Sequence, residues 1–239
     1  MSRKIKAICW DVDGTLVDTE PLYQETLRAV AREHGIHVPK GIPLEGIGAR
    51  TWWGWLTQNC GLAVPVEDFM QECAAHYMSH PELIVPRAGA GDAFRYFDAL
   101  SLPQCAVSGG VRDQVDANLD RSGVASDMLF SIAADDVEKS KPDPDPYLLA
   151  KAVMCKMQGW ENKPEENACF LAIEDSAAGI GSAKRAGFTA IFWSPSPGET
   201  FPGADYNVHT PQELLDLCRT LVAPPAPASK PAPKGPRSP

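Results

Sequence analysis

No stretch of this sequence stays apolar long enough to cross a bilayer. The apolar run nearest the start, Ala7 to Trp10, is too short for a secretory signal core. A membrane partner is therefore not expected. Positive charge is also scarce: 22 Lys and Arg stand against 31 Asp and Glu, a formal charge of −9, and no basic stripe is visible. That excludes the electrostatic footprint of a nucleic-acid binder. It leaves room for a small phosphorylated ligand, because one local lysine overrides the global sign. The seven cysteines are an odd number and form no C-x-x-C pair. Cys9, Cys105 and Cys169 lie in apolar runs, where a reduced thiol packs as a small hydrophobe. A reducing, cytoplasmic setting fits this usage. Internal repeats are missing too.

What is present is an alternation of short apolar runs and helical patterns, in a chain whose 44% hydrophobic content supports a sizeable core. Strands are expected at Ile5–Trp10, Gln104–Val107, Met128–Ile132, Ala168–Ile173 and Thr189–Trp193. Helices are expected at Val111–Arg121, Asp145–Met157 and Ser176–Ala186, with Ala88–Leu100 resuming the core. This rhythm implies an α/β fold, a Rossmann-like open and mostly parallel sheet. Between Val17 and Pro86 the rhythm breaks into helical patterns (Pro21–His34, Ala49–Cys60, Val66–Ser79) with no convincing strand. Residues 1–16 and 87–222 are thus expected to form a discontinuous core, and 17–86 an inserted helical cap. The Pro-, Ala- and Lys-rich residues 223–239 are expected to be a disordered tail.

Open α/β sheets bind ligands beyond the carboxyl ends of their strands, and polar groups collect at four such ends here. Asp11 and Asp13 follow the first strand at i and i+2, so in extended backbone both leave one face. Two neighbouring anions need a cation or a shared proton. Ser108-Gly109-Gly110 follows the second strand, offering a hydroxyl and N–H groups at a helix start, a natural anion site. Lys141-Pro142-Asp143-Pro144 supplies a fixed cation, and Glu174-Asp175-Ser176 supplies further acidic oxygens. Asp11, Asp175 and Glu174 suit a hard divalent ion, Mg²⁺ in preference. Metal, lysine and N–H donors together are what phosphoryl transfer requires. Each piece has a plainer reading: a turn for the aspartates, a helix N-cap for Ser108, a solvated charge for Lys141 beside Lys139, and an orienting role for Glu174.

As an ordered set, these motifs and Asp18-Thr19-Glu20 resemble the haloacid dehalogenase superfamily. The branch is the one with a helical cap, which includes phosphoglycolate phosphatase and β-phosphoglucomutase-like phosphatases. The resemblance implies that Asp11 is a nucleophile forming an aspartyl-phosphate, and that Asp13 is general acid and then base. It implies that Ser108, Gly109 and Lys141 hold the phosphoryl group. Asp11, Asp175, Glu174 and the Asp13 carbonyl would take Mg²⁺. Dehalogenases lack an acid at the position of Asp13, so phosphotransfer is expected. The leading expectation is a phosphatase acting on a small phosphorylated metabolite. A sugar phosphomutase and a non-catalytic binding protein are the alternatives. Tyr23 stands where such mutases carry a cap-entry histidine, which favours hydrolysis.

In the cap, Gly46-Ile47-Gly48-Ala49-Arg50 resembles the segment that reaches over the site, and Arg50 and Tyr23 are candidate substrate contacts. Trp52, Trp53 and Trp55 are expected to pack the cap for the most part. His76 and His80 have metal-ligand spacing, but no glutamate lies between them at the metalloprotease position and Pro81 ends the helix. A zinc site is not expected.

Overall fold

The computed structural model describes residues 5–39, 41–42 and 48–222. Six parallel strands form the main sheet: β1 (Ala7–Trp10), β4 (Gln104–Val107), β5 (Ser131–Ile132), β6 (Phe170–Glu174), β7 (Thr189–Trp193) and β8 (Tyr206–Val208). Their spatial order is β5-β4-β1-β6-β7-β8, which puts β1 in the middle. Trp10 pairs with Ala106 on one side and Ile173 on the other. Ile8 and Trp10 enter one apolar layer, Ala7 and Cys9 the opposite one, as the two-residue strand period requires. The first layer packs α4 (Ala90–Ala99), α5 (Arg112–Ser122) and α8 (Pro211–Val222); the second packs α6 (Asp145–Gln158) and α7 (Ala177–Arg185). The molecule is therefore an α/β open sheet with helices on both faces.

Three expected strands change on inspection. The first begins at Ala7. Met128–Ile132 contracts to β5, which among the described residues is an edge strand paired with β4. Its neighbours still reach across, Leu129 N–H to Gln104 O at 3.0 Å and Ala106 N–H to Phe130 O at 3.1 Å. Residues Pro164–Cys169 turn as a 3₁₀ helix, so the following strand starts at Phe170 and carries Glu174 within it.

The segment expected to lack strands has two. Val17–Asp18 (β2) pairs antiparallel with Val85–Pro86 (β3), each too short to leave an alternating pattern. Between them lie α1 (Glu20–Glu33), α2 (Ala49–Cys60) and α3 (Val66–Ser79), packed around Leu27, Val30, Trp52, Leu56 and Phe69. Trp52 stacks on Trp55 at 4.8 Å, and the Trp53 indole N–H donates to Val64 O at 2.9 Å. The tryptophan cluster is packing, as expected. His76 and His80 stack at 4.2 Å, and His80 Nδ1 is engaged by its own turn, at 2.9 Å from His76 O. Residues 223–239 and the Gly46-Ile47 part of the cap motif lie outside the described residues.

Candidate active site

Because β1 is central, its carboxyl end opens onto the loops after β4 and β6. The turn after β1 is tight: Gly14 N–H donates to Val17 O at 2.8 Å. Gly14 has φ +75°, and a Cβ there would overlap the Asp175 carboxylate. Glycine is thus required twice, for its left-handed backbone and for the close approach of Asp175.

Four of the expected residues converge. The Lys141 ammonium donates to Asp11 Oδ1 at 2.7 Å, Glu174 Oε1 at 2.6 Å and Val107 O at 2.7 Å. Those three bonds use all its protons. Burial alone would lower its pKa, but Asp11 and Glu174 outweigh burial and hold it raised. Lys139, the alternative lysine, is exposed. Asp11, Glu174 and Asp175 each place an oxygen within 4.8 Å of the others. Burial and then the charge of Asp11 push Glu174 up to about 7; burial, Asp11 and Glu174 raise Asp175. The Lys141 ammonium pairs with only two of these three crowded carboxylates, so the donor set fits a hard divalent cation. Tyr147 was not foreseen: its hydroxyl donates to Glu174 Oε1 at 2.5 Å.

Asp13 faces away from this cluster. Its Oδ1 accepts from Asn118 Nδ2 at 2.7 Å, and its Oδ2 from the Ser108 hydroxyl at 3.2 Å. Burial, then Asp11, push its carboxyl up to about 6. Ser108 does not cap α5. The helix begins after Val111, and the Ser108 oxygen accepts Gly110 N–H at 3.0 Å instead. Gly109 is exposed, and a Cβ there would lie 4.0 Å from Lys141 Cδ.

A cleft of 1130 Å³ opens from Asp13, Gly14 and Asp175 and is lined by Asp18, Thr19, Glu20 and Gln24 before α3, and by Ser194, Glu199 and His209 late in the chain. Neither proposed cap contact lines it. Arg50 is exposed and sits 3.9 Å from Glu67. The Tyr23 hydroxyl accepts the Ala49 N–H, and its ring packs between two apolar clusters. Local contacts engage both side chains, Arg50 beside Glu67 and Tyr23 between the cap and core clusters. Arg87 lines the cleft and escaped sequence reading. Its guanidinium bonds the carbonyls of Gly14 and Trp193 and lies 3.7 Å over the Trp193 ring. No sequence pattern around Arg87 announces these contacts.

An α/β sheet whose central strand ends in a lysine-tethered carboxylate, with a second acid and a cation-ready cluster beside it, is equipped for phosphoryl transfer. The chain belongs to the haloacid dehalogenase-like hydrolases, which it matches over residues 5–187. It is 29% identical over 221 residues to YhcW of Bacillus subtilis (strain 168), covering 91% of this chain and 96% of that protein. It is 28% identical over 189 residues to the validoxylamine A 7'-phosphate phosphatase of Streptomyces hygroscopicus subsp. limoneus, covering 78% and 84%. The crystal structure of CbbY from Rhodobacter sphaeroides in complex with phosphate shares the fold, with TM-score 0.69, 24% identity and coverage of 88% and 96%. Family and relatives together make the chain a phosphoric monoester hydrolase. Among the described residues, no helix is long and apolar enough to cross a membrane.

Proposed function

We propose that the chain is a Mg²⁺-dependent phosphatase that hydrolyses a small organic phosphomonoester through an aspartyl-phosphate. The observation carrying this reading is the Lys141 tether on Asp11, with Asp13 fixed separately two residues on. Asp11 attacks phosphorus, forming an acyl-phosphate and breaking the ester P–O bond. Asp13 gives its proton to the leaving oxygen, then takes one from the water that hydrolyses the intermediate. Lys141 keeps the nucleophile oriented and offsets phosphoryl charge; the Gly109 N–H adds a donor, while the Ser108 hydroxyl holds Asp13. Asp11, Asp175, Glu174 and the Asp13 carbonyl would hold Mg²⁺. When bound, the ion neutralises charge on the phosphoryl group.

The helices α1–α3 act as a cap over the cleft, excluding water as it closes. Hydrolysis is preferred to a mutase reaction because Tyr23 stands where such mutases carry a cap-entry histidine. Relatives named as phosphatases of phosphorylated carbohydrates and of N-acetylmuramic acid 6-phosphate support a sugar-like phosphate ester as substrate. The seven free cysteines suit a reducing compartment, the cytoplasm.

Phosphate release from a panel of small esters, with Mg²⁺ and with chelator, tests the reading. Release should require metal, and Asp11→Asn should abolish it while circular dichroism stays native. Full activity in Asp11→Asn would sink the covalent route.

A further inference from the structure

We infer that Tyr77 and Asn118 are positioning residues for Asp13, tying the acid–base carboxyl to helix α3 of the cap. The inference rests on the phosphatase reading above and adds a component that none of the sequence motifs contains. Asn118 lies on α5 with 1% of its surface exposed, and its Nδ2 donates to Asp13 Oδ1 at 2.7 Å. Tyr77 lies on α3 at 6% exposure, and its hydroxyl donates to Asn118 Oδ1 at 2.9 Å. Thr19, buried next to β2, contacts both the Asp13 carboxyl and the Tyr77 phenol.

The order of donors follows when Asp13 is ionised: a carboxylate only accepts, so Asn118 turns its amide nitrogen to Asp13. Its carbonyl oxygen then faces the other way, buried, and needs a donor. Tyr77 is that donor. With phenylalanine at 77 the oxygen is orphaned and the amide is free to turn over, which would set oxygen against the Asp13 carboxylate. Of the other buried residues of α5, Val115 and Leu119 are apolar, and Ser122 spends its hydroxyl on its own turn, donating to Leu119 O at 2.6 Å. A leucine would fill the space of Asn118 without the cost of burying an amide. The amide is therefore there for its two bonds, one to the loop after β1 and one to α3.

Ser108 holds the other Asp13 oxygen at 3.2 Å, so the carboxyl is fixed at both ends. The Tyr77–Asn118 pair moves no proton. It sets where the carboxyl points, and the proton Asp13 gives still goes to the leaving oxygen. Such aim matters because an acid outside hydrogen-bond reach contributes little to the transition state. Displacing α3 with the cap would withdraw the Tyr77 hydroxyl, so aim and cap position change together.

The test compares Tyr77→Phe, Asn118→Leu and the double variant with wild type, using glycerol phosphate and p-nitrophenyl phosphate with Mg²⁺. The poor alkoxide leaving group needs the acid, whereas nitrophenolate does not. For glycerol phosphate, kcat/KM should fall about 10-fold or more in Tyr77→Phe. For the nitrophenyl ester it should fall no more than about 2-fold. The double variant should be no worse than Asn118→Leu alone, since Tyr77 acts through Asn118. Equal losses on both esters would assign Tyr77 to packing and overturn the inference, as would no loss on either or multiplicative losses in the double variant. The Asn118 side-chain amide protons give a readout independent of turnover. They should exchange slowly in wild type and at least about 10-fold faster in Tyr77→Phe; unprotected protons in wild type would refute the tether. A wild type that cleaves neither ester, with those protons protected, would instead overturn the phosphatase reading and the catalytic role built on it.

Discussion

Replacing Lys141 by methionine removes the one ammonium among Asp11, Glu174 and Asp175 while keeping the unbranched stem. At 2.7 Å from Asp11 and 2.6 Å from Glu174, each pair is worth about 6 kcal/mol gross at an effective dielectric near 20. Desolvation of the ions cancels much of that, and removing one partner of a buried pair costs about 3–5 kcal/mol net. Glu174 limits the damage by binding a proton, since its carboxyl already sits at about 7. Losing the ammonium raises it further. A carboxyl raised above its unfolded value makes the fold less stable as pH rises, so Lys141→Met should be hurt more at pH 8 than at pH 6. The relief should approach ~1.4 kcal/mol per pH unit. For a domain of this size, 1 kcal/mol shifts Tm by about 2–4 °C. Melting in chelator at pH 8 should therefore fall by about 6–20 °C. A loss under about 2 °C at pH 8, or a larger loss at pH 6, would refute the argument.

The metal-free wild type should itself lose stability as pH rises from about 5 to about 7. Over that window the raised Asp13, Glu174 and Asp175 keep protons that the unfolded chain has released. Mg²⁺ competes with those protons, so it should bind more tightly as pH rises and flatten the slope; melting curves with chelator and with Mg²⁺ would show this. A chelated Tm that climbs steadily over the same range would contradict it. Gly14→Ala should cost about 1–2 kcal/mol from its positive φ and also weaken metal binding by pushing Asp175 aside. Calorimetric titration with Mg²⁺ checks this, and unchanged affinity would show that Asp175 does not depend on the glycine.

Asp11, Glu174 and Asp175 were legible because each sits beside an apolar run whose end the fold must expose. Lys141 follows no such run, and its place beside Pro142, as the family resemblance implies, is what distinguishes it from Lys139. The groups that hold these residues were not legible. Asn118 looks like any polar residue of an amphipathic helix, and its partner Tyr77 lies 41 residues earlier. Arg87 and Tyr147 likewise act only through tertiary contacts. The β2–β3 ribbon escaped because two residues cannot display a period of two. Ser108 was read as a cap or a phosphate donor, while its hydroxyl goes to Asp13 and its own turn, a choice that depends on where Asp13 points.

The central place of β1 has a consequence for how the protein is made. Its flanking partners are β4 and β6, whose first paired residues are Gln104 and Phe170. β1 leaves a ribosome before both partners, so one edge stays uncovered until β4 is made and the other until β6 is made, and such long-range pairing forms slowly. Until residue 170 has emerged, Asp11 has neither Glu174 nor Asp175 for company, and no nascent chain is an enzyme. The strand is also an unpaired, wholly apolar template during that wait, which makes Ala7–Trp10 a segment for chaperones to shield.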